Sequence, residues 1–259
     1  DPGVCIRGGG FRVIRYMPEY LGTKPYPTEI GDVVFNDGSA TPYGNGISLS
    51  PEQDEAVISI IFYAGNELNN SGDTSKRVLG IGFFKSASTS IWGPDSHGQD
   101  ITETSLDVDF TMNNGCNTEF GESSYKDGRD MLNQIKEEII AKGWDDDTGD
   151  ASKYPQFYFG INYKDADINV IGTEYEDGWY CPTLCELCFI GRAYANNNLG
   201  TMLDAFTGDY LSGISFWASN LVNASNSNKY YYKFTSTGGQ FASISYSQTY
   251  YSLAIRQFN

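Results

Sequence analysis

Three cysteines lie close together in the sequence, and their residue type and spacing make them the first candidates for a chemical role. Cys181, Cys185 and Cys188 could supply thiolate ligands to zinc, which usually takes four Cys or His ligands. The same run contains no fourth ligand, and the chain has a single histidine, His97. Cys185 and Cys188 are spaced for one face of a helix, where small buried apolar residues are expected. We therefore predict no metal site in this run.

Catalytic motifs are equally scarce. His97 lies in a turn-like Gly-Pro-Asp-Ser-His-Gly context, and nothing nearby indicates a Ser-His-Asp triad. The chain has no Gly-x-Ser-x-Gly elbow, P-loop or His-Glu-x-x-His motif. The acidic run 145–150 lacks the order of an EF-hand, because Gly149 stands where a ligand is needed, so we interpret it as a solvated turn. We expect no enzymatic activity, no catalytic residues, no cofactor and no metal.

The charge balance limits the partners. The chain has 259 residues, 33 Asp and Glu against 17 Lys and Arg, and a formal net charge of -16. Nucleic acids and anionic lipid surfaces are bound through clustered Lys and Arg, so neither is an expected partner. No run approaches the roughly 20 apolar residues of a spanning helix. The sequence begins at Asp1 without a leader, and we expect any signal or lipid anchor to have been removed.

The first half of the chain predicts strands and one helix. Residues 31–43 read as a hairpin around an Asp-Gly turn, and 57–63 and 79–84 read as a buried pair of strands. Residues 92–126 have little periodicity and predict a long surface excursion, anchored by apolar residues such as Phe110 and Phe120.

Apolar residues then recur at helical spacing over 127–142, and Gly143 marks the end of that helix.

The second half alternates between element types. The aromatic run 154–163 predicts another buried strand. A second helix begins at Thr183, which can cap the first turn while Glu186 reaches back to the N–H of Thr183. A short third helix is predicted over 201–206, and short alternating runs follow it. Strands before, between and after helices favour an α+β fold over a regular βαβ alternation, with the last strands closing it. We predict one domain, 1–259.

The C-terminal segment 217–259 differs in composition from the rest. No Asp or Glu follows Asp209, whereas Asn, Ser and Tyr are abundant. Tyr offers a large contact area with few rotors to freeze, and Ser and Asn supply adaptable hydrogen bonds, which is why antibody binding loops favour these residues. The alternative is a Tyr-rich β-meander whose outer face meets water.

Several runs together carry a resemblance to a known family. They are 31–43, 57–65, 79–84, 179–187 with its Trp-Tyr-Cys-Pro-Thr-Leu-Cys-Glu-Leu, 215–219 with Ser-Phe-Trp-Ala-Ser, and 253–258 with Leu-Ala-Ile-Arg-Gln-Phe. In this order they resemble bacterial C-type lectin-fold domains, in particular the formylglycine-generating-enzyme-like branch. The resemblance implies two or three helices packed on short, mostly antiparallel strands with long irregular loops. The oxidase chemistry of that branch uses a cysteine pair near the C-terminal end, and no cysteine follows Cys188.

Within that branch, the Asn/Ser/Tyr-dense segment is similar to the variable region of spirochaete proteins diversified by retroelements, of the Treponema variable protein type. The resemblance implies a surface lipoprotein on a bacterial cell, outside the cytoplasm, whose randomised side chains bind ligands. It also implies that Asn, Ser, Tyr, Asp, Phe, Ile, Ala and Gly can be reached by mutation but Lys, Gln and Trp cannot. The residues that should be fixed scaffold are Trp217, Lys229, Lys233, Gln240 and Gln248.

We predict a monomer that binds a protein or a glycan through segment 217–259. A polysaccharide-binding surface module and a structural subunit of a surface assembly are the alternatives. We expect the contact residues to be those of diversifiable type on the outward face, with Tyr230 and Tyr232 among them. The full predicted set is Asn220, Asn223, Asn226, Asn228, Tyr230, Tyr232, Ser236, Phe241, Ser243, Ser245, Tyr246, Ser247 and Tyr250.

Overall fold

The computed structural model describes most of the chain. The described residues are 20–44, 48–70, 72–93, 126–144, 147–196, 198–207, 211–223, 226–235, 238–245 and 247–258, with the short pieces 5–7, 10–12, 110–111 and 119–120. Only the backbone is described for those short pieces and for 221–223, 226–229 and 243. Most of the predicted excursion 92–126, including His97, lies outside the described residues.

Two pairs of short antiparallel strands form two-stranded sheets of their own. One pair is β1 Cys5–Arg7 with β2 Gly10–Arg12, and the other is β7 Phe110–Thr111 with β8 Glu119–Phe120.

A six-stranded antiparallel sheet forms the centre of the described structure. Its strands are β3 Asp32–Phe35, β4 Ala40–Pro42, β5 Val57–Gly65, β6 Arg77–Lys85, β9 Trp179–Tyr180 and β13 Leu253–Gln257. Their order across the sheet is β4-β3-β5-β6-β13-β9. The predicted hairpin is confirmed as β3 and β4 around Gly38 (φ 82°), and the predicted strand pair as β5 and β6. The last strand closes the fold as expected, because β13 inserts between β6 and β9.

A second, three-stranded antiparallel sheet is built from the C-terminal segment. Its strands are β10 Ser215–Asn223, β11 Asn226–Thr235 and β12 Gly238–Ser245, in sequence order. The pairing of β11 with β12 runs without a bulge from Asn228↔Ser245 to Thr235↔Gly238. A period of two therefore holds along both strands and decides which side chains share a face.

Five α-helices occur in the described residues. They are α1 Pro51–Glu55, α2 Gly128–Ala141, α3 Pro155–Ile161, α4 Leu184–Asn196 and α5 Leu199–Thr207. The predictions of α2, α4 and α5 are confirmed. In α2, Asp127 caps the N-terminus by accepting the Arg129 N–H, and Gly143 follows with φ 68°. Helix α1 was not predicted, although Ser50 and Gln53 form a capping box at its start.

The prediction of a strand over 154–163 was wrong. Residues Pro155–Ile161 form α3, with Pro155 in the first turn, where a missing N–H costs nothing. Phe157 is buried, and Gly160 lies so close to the Tyr180 and Cys181 backbone that a Cβ there would overlap it. A short apolar run fits a buried strand and a buried helix equally well, and here contact with β9 favours the helix.

Helices lie between the six-stranded sheet, called the large sheet below, and the three-stranded sheet, called the small sheet. Helix α4 packs between β5 of the large sheet and β11 and β12 of the small one, and shares one core with both. Helices α2 and α3 form a second core with Trp92 and Trp217, on the other side of β10. A third core lies behind the large sheet, around Tyr163 and Trp179. The predicted α+β class is thereby confirmed.

Candidate functional site

The start of α4 anchors the small sheet to the rest of the molecule. Thr183 caps the helix by accepting the Glu186 N–H at 3.2 Å, and the Glu186 carboxylate accepts the Thr183 N–H at 2.8 Å, so the predicted capping box is confirmed. The Leu184 N–H donates to the Asn220 side-chain oxygen at 2.6 Å. Asn220 is completely buried, so its prediction as a contact residue is corrected: its side chain is a helix cap.

Buried charges tie α4 to the large sheet and to α2. The Arg77 guanidinium lies 3.2 Å from the Glu186 carboxylate and 3.1 Å from that of Asp127, and it donates to the Tyr180 hydroxyl at 3.0 Å. Burial raises the pKa of Glu186 and of Tyr180 above their ordinary values. Every partner is a neighbouring protein group, so this network positions α4 and leaves little for a ligand.

One face of the small sheet is turned into the core. Tyr230, Tyr232 and Phe234 alternate along β11 and are 6%, 0% and 0% exposed. They pack in the core that contains α4, and the Tyr232 ring lies against Gly191 of that helix. The prediction that Tyr230 and Tyr232 point outward was therefore wrong. The alternation is visible in the sequence, but it does not show where α4 lies, and the position of α4 decides which face is buried.

The opposite face carries the aromatic residues that remain accessible. Tyr231 and Tyr250 are half-buried and stack with ring centroids 4.6 Å apart and planes 17° apart. The rings of Tyr250 and Trp217 pack edge to face, with their centroids 4.8 Å apart. Trp217 itself is only 1% exposed, and its indole N–H donates to the Ser90 carbonyl at 2.7 Å. The Tyr250 backbone is fixed by two hydrogen bonds with Ser90, of 2.8 and 3.1 Å.

Polar and small side chains surround this aromatic pair. Lys233 and Gln240 are exposed and pair with each other across β11 and β12. They share a face with the neighbouring pair Tyr231 and Ala242. We call Tyr231, Lys233, Gln240, Ala242 and Ile244 the outer face, and residues 247–250 the C-terminal loop. Ser247, Gln248 and Thr249 of that loop are exposed. The arrangement offers rigid stacked rings beside adaptable hydrogen-bonding groups, with no carboxylate among them.

The other predicted contact residues fall into three groups. In the first group the side chains are described. Phe241 is half-buried on the inner face and packs against the main core. Ser247 is exposed, and its hydroxyl lies 3.0 Å from the hydroxyl of the half-buried Ser245. For four positions only the backbone is described: Asn223, Asn226, Asn228 and Ser243. Ser236 and Tyr246 lie outside the described residues.

Tyr231, Ala242 and Ile244 are accessible positions that were not among the predicted contact residues. All three are on the face opposite Tyr230 and Tyr232. A usable signal was present, because the resemblance marks Lys233 and Gln240 as fixed residues, and these exposed polar residues share the face of Tyr231. Charged residues on a strand normally point to solvent, so Lys233 could have oriented β11.

The three clustered cysteines are all buried, which the sequence spacing predicted for Cys185 and Cys188. Cys185 and Cys188 lie in the main core, and the Cys181 thiol donates to the Gln156 carbonyl at 2.7 Å. Burial raises the pKa of the Cys181 and Cys185 thiols, which keeps them protonated and makes them poor nucleophiles and ligands.

The described part of the acidic run forms local turns. The Asp147 and Asp150 carboxylates accept the backbone N–H groups of Gly149 and Ser152. These bonds are those of a turn, as interpreted from the sequence, although Thr148 within the run is completely buried.

Comparisons with known proteins bear on the fold. No protein-family model matches this chain, and no curated protein matches it. The fold is similar to a solved structure of a fimbrial protein from Bacteroides ovatus, with a TM-score of 0.56 and 15% sequence identity. The match covers 88% of this chain and 48% of that protein, so this chain spans about half of its length. At this identity the likeness concerns the fold alone.

One finding concerns membranes. In the part of the chain that the structure describes, no helix has the length and apolar character needed to cross a bilayer.

Proposed function

We propose that this chain is a surface-displayed binding module of a bacterial cell that recognises a protein ligand through the outer face and the C-terminal loop. It is not an enzyme. The observation that carries the proposal is the stacked pair Tyr231 and Tyr250, held rigidly by Trp217 and Ser90 beside exposed polar side chains. Rigid aromatic anchors with a polar surround are typical of binding surfaces.

The finer assignment rests on the sequence resemblance. A C-type lectin-fold variable protein diversified by a retroelement would present residues of the reachable types on an accessible surface. Tyr231, Ala242, Ile244, Ser247 and Tyr250 are all of reachable type and all lie on the outer face or in the C-terminal loop. Lys233, Gln240 and Gln248 stand among them as fixed residues. The buried Tyr230 and Tyr232 would then belong to the scaffold.

The genetic test compares sister genes. We expect substitutions to concentrate at the codons of Tyr231, Ala242 and Ser247 and to spare those of Tyr232 and Phe234. A near-identical template repeat and a reverse transcriptase in the downstream DNA would support diversification. Substitutions scattered evenly over buried and exposed codons would contradict it.

A selection experiment tests binding itself. A displayed library randomised at Tyr231, Ala242, Ser247 and Tyr250 is selected against a purified protein target, streptavidin. We expect folded binders from this library. The matched control randomises the same number of inner positions, such as Tyr230 and Tyr232, and should yield unfolded chains. Failure of the outer library to give binders while its members remain folded would contradict the proposal.

A second candidate function is a structural subunit of a surface assembly. The likeness in fold to a fimbrial protein favours it. This candidate predicts that the purified chain forms concentration-dependent oligomers or filaments, measured by analytical ultracentrifugation and electron microscopy, whereas the binding module remains a monomer.

A further inference from the structure

A cleft of about 600 Å³ opens at the C-terminal end of β13, away from the outer face. Such a volume falls within the roughly 300–1,000 Å³ of small-molecule sites. Apart from Thr28, Glu174 and Gln257, the side chains that line the cleft are aromatic, aliphatic or basic. The full lining is Tyr26, Pro27, Thr28, Lys76, Val78, Glu174, Tyr175, Arg256, Gln257 and Phe258.

One wall of the cleft is rigid. The Tyr175 and Phe258 rings lie 5.5 Å apart, and the Arg256 guanidinium covers both, at 4.7 and 5.4 Å from their centroids. Arg256 also donates to the carbonyls of Asp177, Glu174 and Gln257 at 2.8 to 3.0 Å. The guanidinium therefore fixes the wall and is committed to it, rather than to an incoming anion.

The opposite side presents an aromatic ring to solvent. Tyr26 is 62% exposed, which makes it one of the most exposed large aromatic side chains in the described residues. It is followed by Pro27, which is buried and restricts the backbone there. Pro27 restricts the backbone at Tyr26, so binding would cost the rotamer freedom of the ring but little backbone freedom.

The polar groups of the cleft are of mixed sign. Lys76 and Glu174 are both exposed and bear opposite charges, and Thr28 and Gln257 add a hydroxyl and an amide. Lys76 already donates to the Thr28 carbonyl at 3.2 Å and Glu174 accepts from the Tyr175 hydroxyl at 2.7 Å, but an ammonium has three donors and a carboxylate two acceptor oxygens. On a chain of net charge -16, this balance gives no preference for an anion. It suits a neutral ligand with many hydroxyl groups, which can both donate and accept.

The cleft continues into a second hollow of about 590 Å³. Thr28 and Lys76 line both, and the second hollow is completed by Glu29, Ile30, Ala64 and Asn198. Because the two hollows share these residues they adjoin, and adjoining hollows fit a chain of repeating units better than one small molecule. We call the two hollows together the groove.

We propose that the groove binds a neutral oligosaccharide, with a sugar ring stacked on Tyr26 and its hydroxyls bonded by Lys76 and Glu174. Sugar rings present an apolar C–H face to an aromatic ring and hydroxyls at their rim, and the groove offers both kinds of group. None of its residues belongs to the outer face or the C-terminal loop, so this site is independent of the proposed protein-binding surface.

Calorimetric titration of the full chain with hexasaccharides of glucose, mannose and N-acetylglucosamine tests the proposal. A hexasaccharide of galacturonic acid serves as the anionic comparison. We expect at least one neutral probe to bind, and Tyr26→Ala to weaken it about tenfold or more. Tyr26→Phe keeps the ring and should retain most of the affinity.

The matched control is Tyr20→Ala, since Tyr20 is 43% exposed and lies outside the groove. It should leave the affinity unchanged. The proposal is overturned if no neutral probe binds, if the anionic probe alone binds, or if Tyr26→Ala and Tyr20→Ala weaken binding equally.

Discussion

Trp217 joins the accessible aromatic pair to the core beneath it. Its ring is 1% exposed and packs with α2 and α3, while its edge supports Tyr250. We expect Trp217→Ala to lower the free energy of unfolding by about 3–5 kcal/mol, because it leaves a large cavity. Chemical denaturation measures this, with the exposed Gln248→Ala as control. An unchanged midpoint for Trp217→Ala would show that the ring is not part of the core.

Thr183 is the residue on which the start of α4 depends. Thr183→Ala removes the acceptor for the Glu186 N–H and should destabilise the chain by about 1 kcal/mol. Thr183→Ser keeps the hydroxyl and should recover most of the loss. The measurement is again the denaturation midpoint, and equal midpoints for the Ala and Ser variants would contradict a capping role.

Asp167 should make stability depend on pH. Burial raises its pKa to about 6, although its carboxylate accepts the Asn169 N–H at 3.0 Å. An unfolded Asp has a pKa of about 3.9, so folding takes up a proton between these values, and stability falls as the pH rises from about 4 to 6. Asp167→Asn removes this titration and keeps an oxygen for the Asn169 N–H.

The variant should therefore be more stable than the parent at pH 7, by on the order of 1–3 kcal/mol, and nearly equal to it near pH 4. Thermal unfolding of both proteins from pH 4 to 7 measures the difference. Parallel pH profiles would show that Asp167 titrates normally in the folded chain.

At the scale of elements, helix α4 packs tightly against the small sheet at Gly191. A Cβ at Gly191 would overlap the Tyr232 hydroxyl and lie 2.9 Å from the Gly238 carbonyl oxygen. In an isolated helix Gly→Ala would stabilise by about 1 kcal/mol. We expect the reverse for Gly191→Ala, a loss of about 1–3 kcal/mol from overpacking.

Removing the hydroxyl in Gly191→Ala/Tyr232→Phe should restore part of this loss, and a double-mutant cycle by urea denaturation measures the coupling. Simple additivity of the two changes would mean that helix and sheet do not meet as described.

How far the elements could be predicted depended on whether their signals were local. Helix α2 has its cap, its apolar spacing and Gly143 within one stretch of sequence, and the β3–β4 hairpin has its Asp-Gly turn. Helix α3 has neither a side-chain cap nor a clear period, and its contact with β9 decides its form. The orientation of β11 likewise depends on α4, which lies more than thirty residues earlier. Such long-range contacts are not visible in a local pattern.

At the scale of the whole molecule, part of the C-terminal segment 217–259 belongs to the core and part of it is accessible to a ligand. Its first three strands form the small sheet, whose inner face is core, but its last strand, β13, lies in the large sheet between β6 and the edge strand β9. Composition alone marked 217–259 as one unit for binding. In the described part of this segment the inner face and most of β13 are buried, so the binding proposal rests on the outer face and the C-terminal loop, whereas Arg256, Gln257 and Phe258 line the groove.

The position of β13 also argues against two separable halves. Strand β13 pairs with β6 on one side and with β9 on the other, so residues 77–85, 179–180 and 253–257 depend on one another. We predict that 1–259 is a single domain and that limited proteolysis spares the core and cuts between about Trp92 and Lys126. Trp92 is fully buried and donates to the Ala218 carbonyl at 3.0 Å, so cleavage should begin beyond it.

Mass spectrometry of the digest identifies the cut sites, and gel filtration without denaturant shows whether the pieces stay together. We expect them to co-elute, because a cut between β6 and α2 still leaves β13 paired with β6. Two stable fragments that separate without denaturant would contradict a single domain, since one of them would then have to fold without its neighbours in the large sheet.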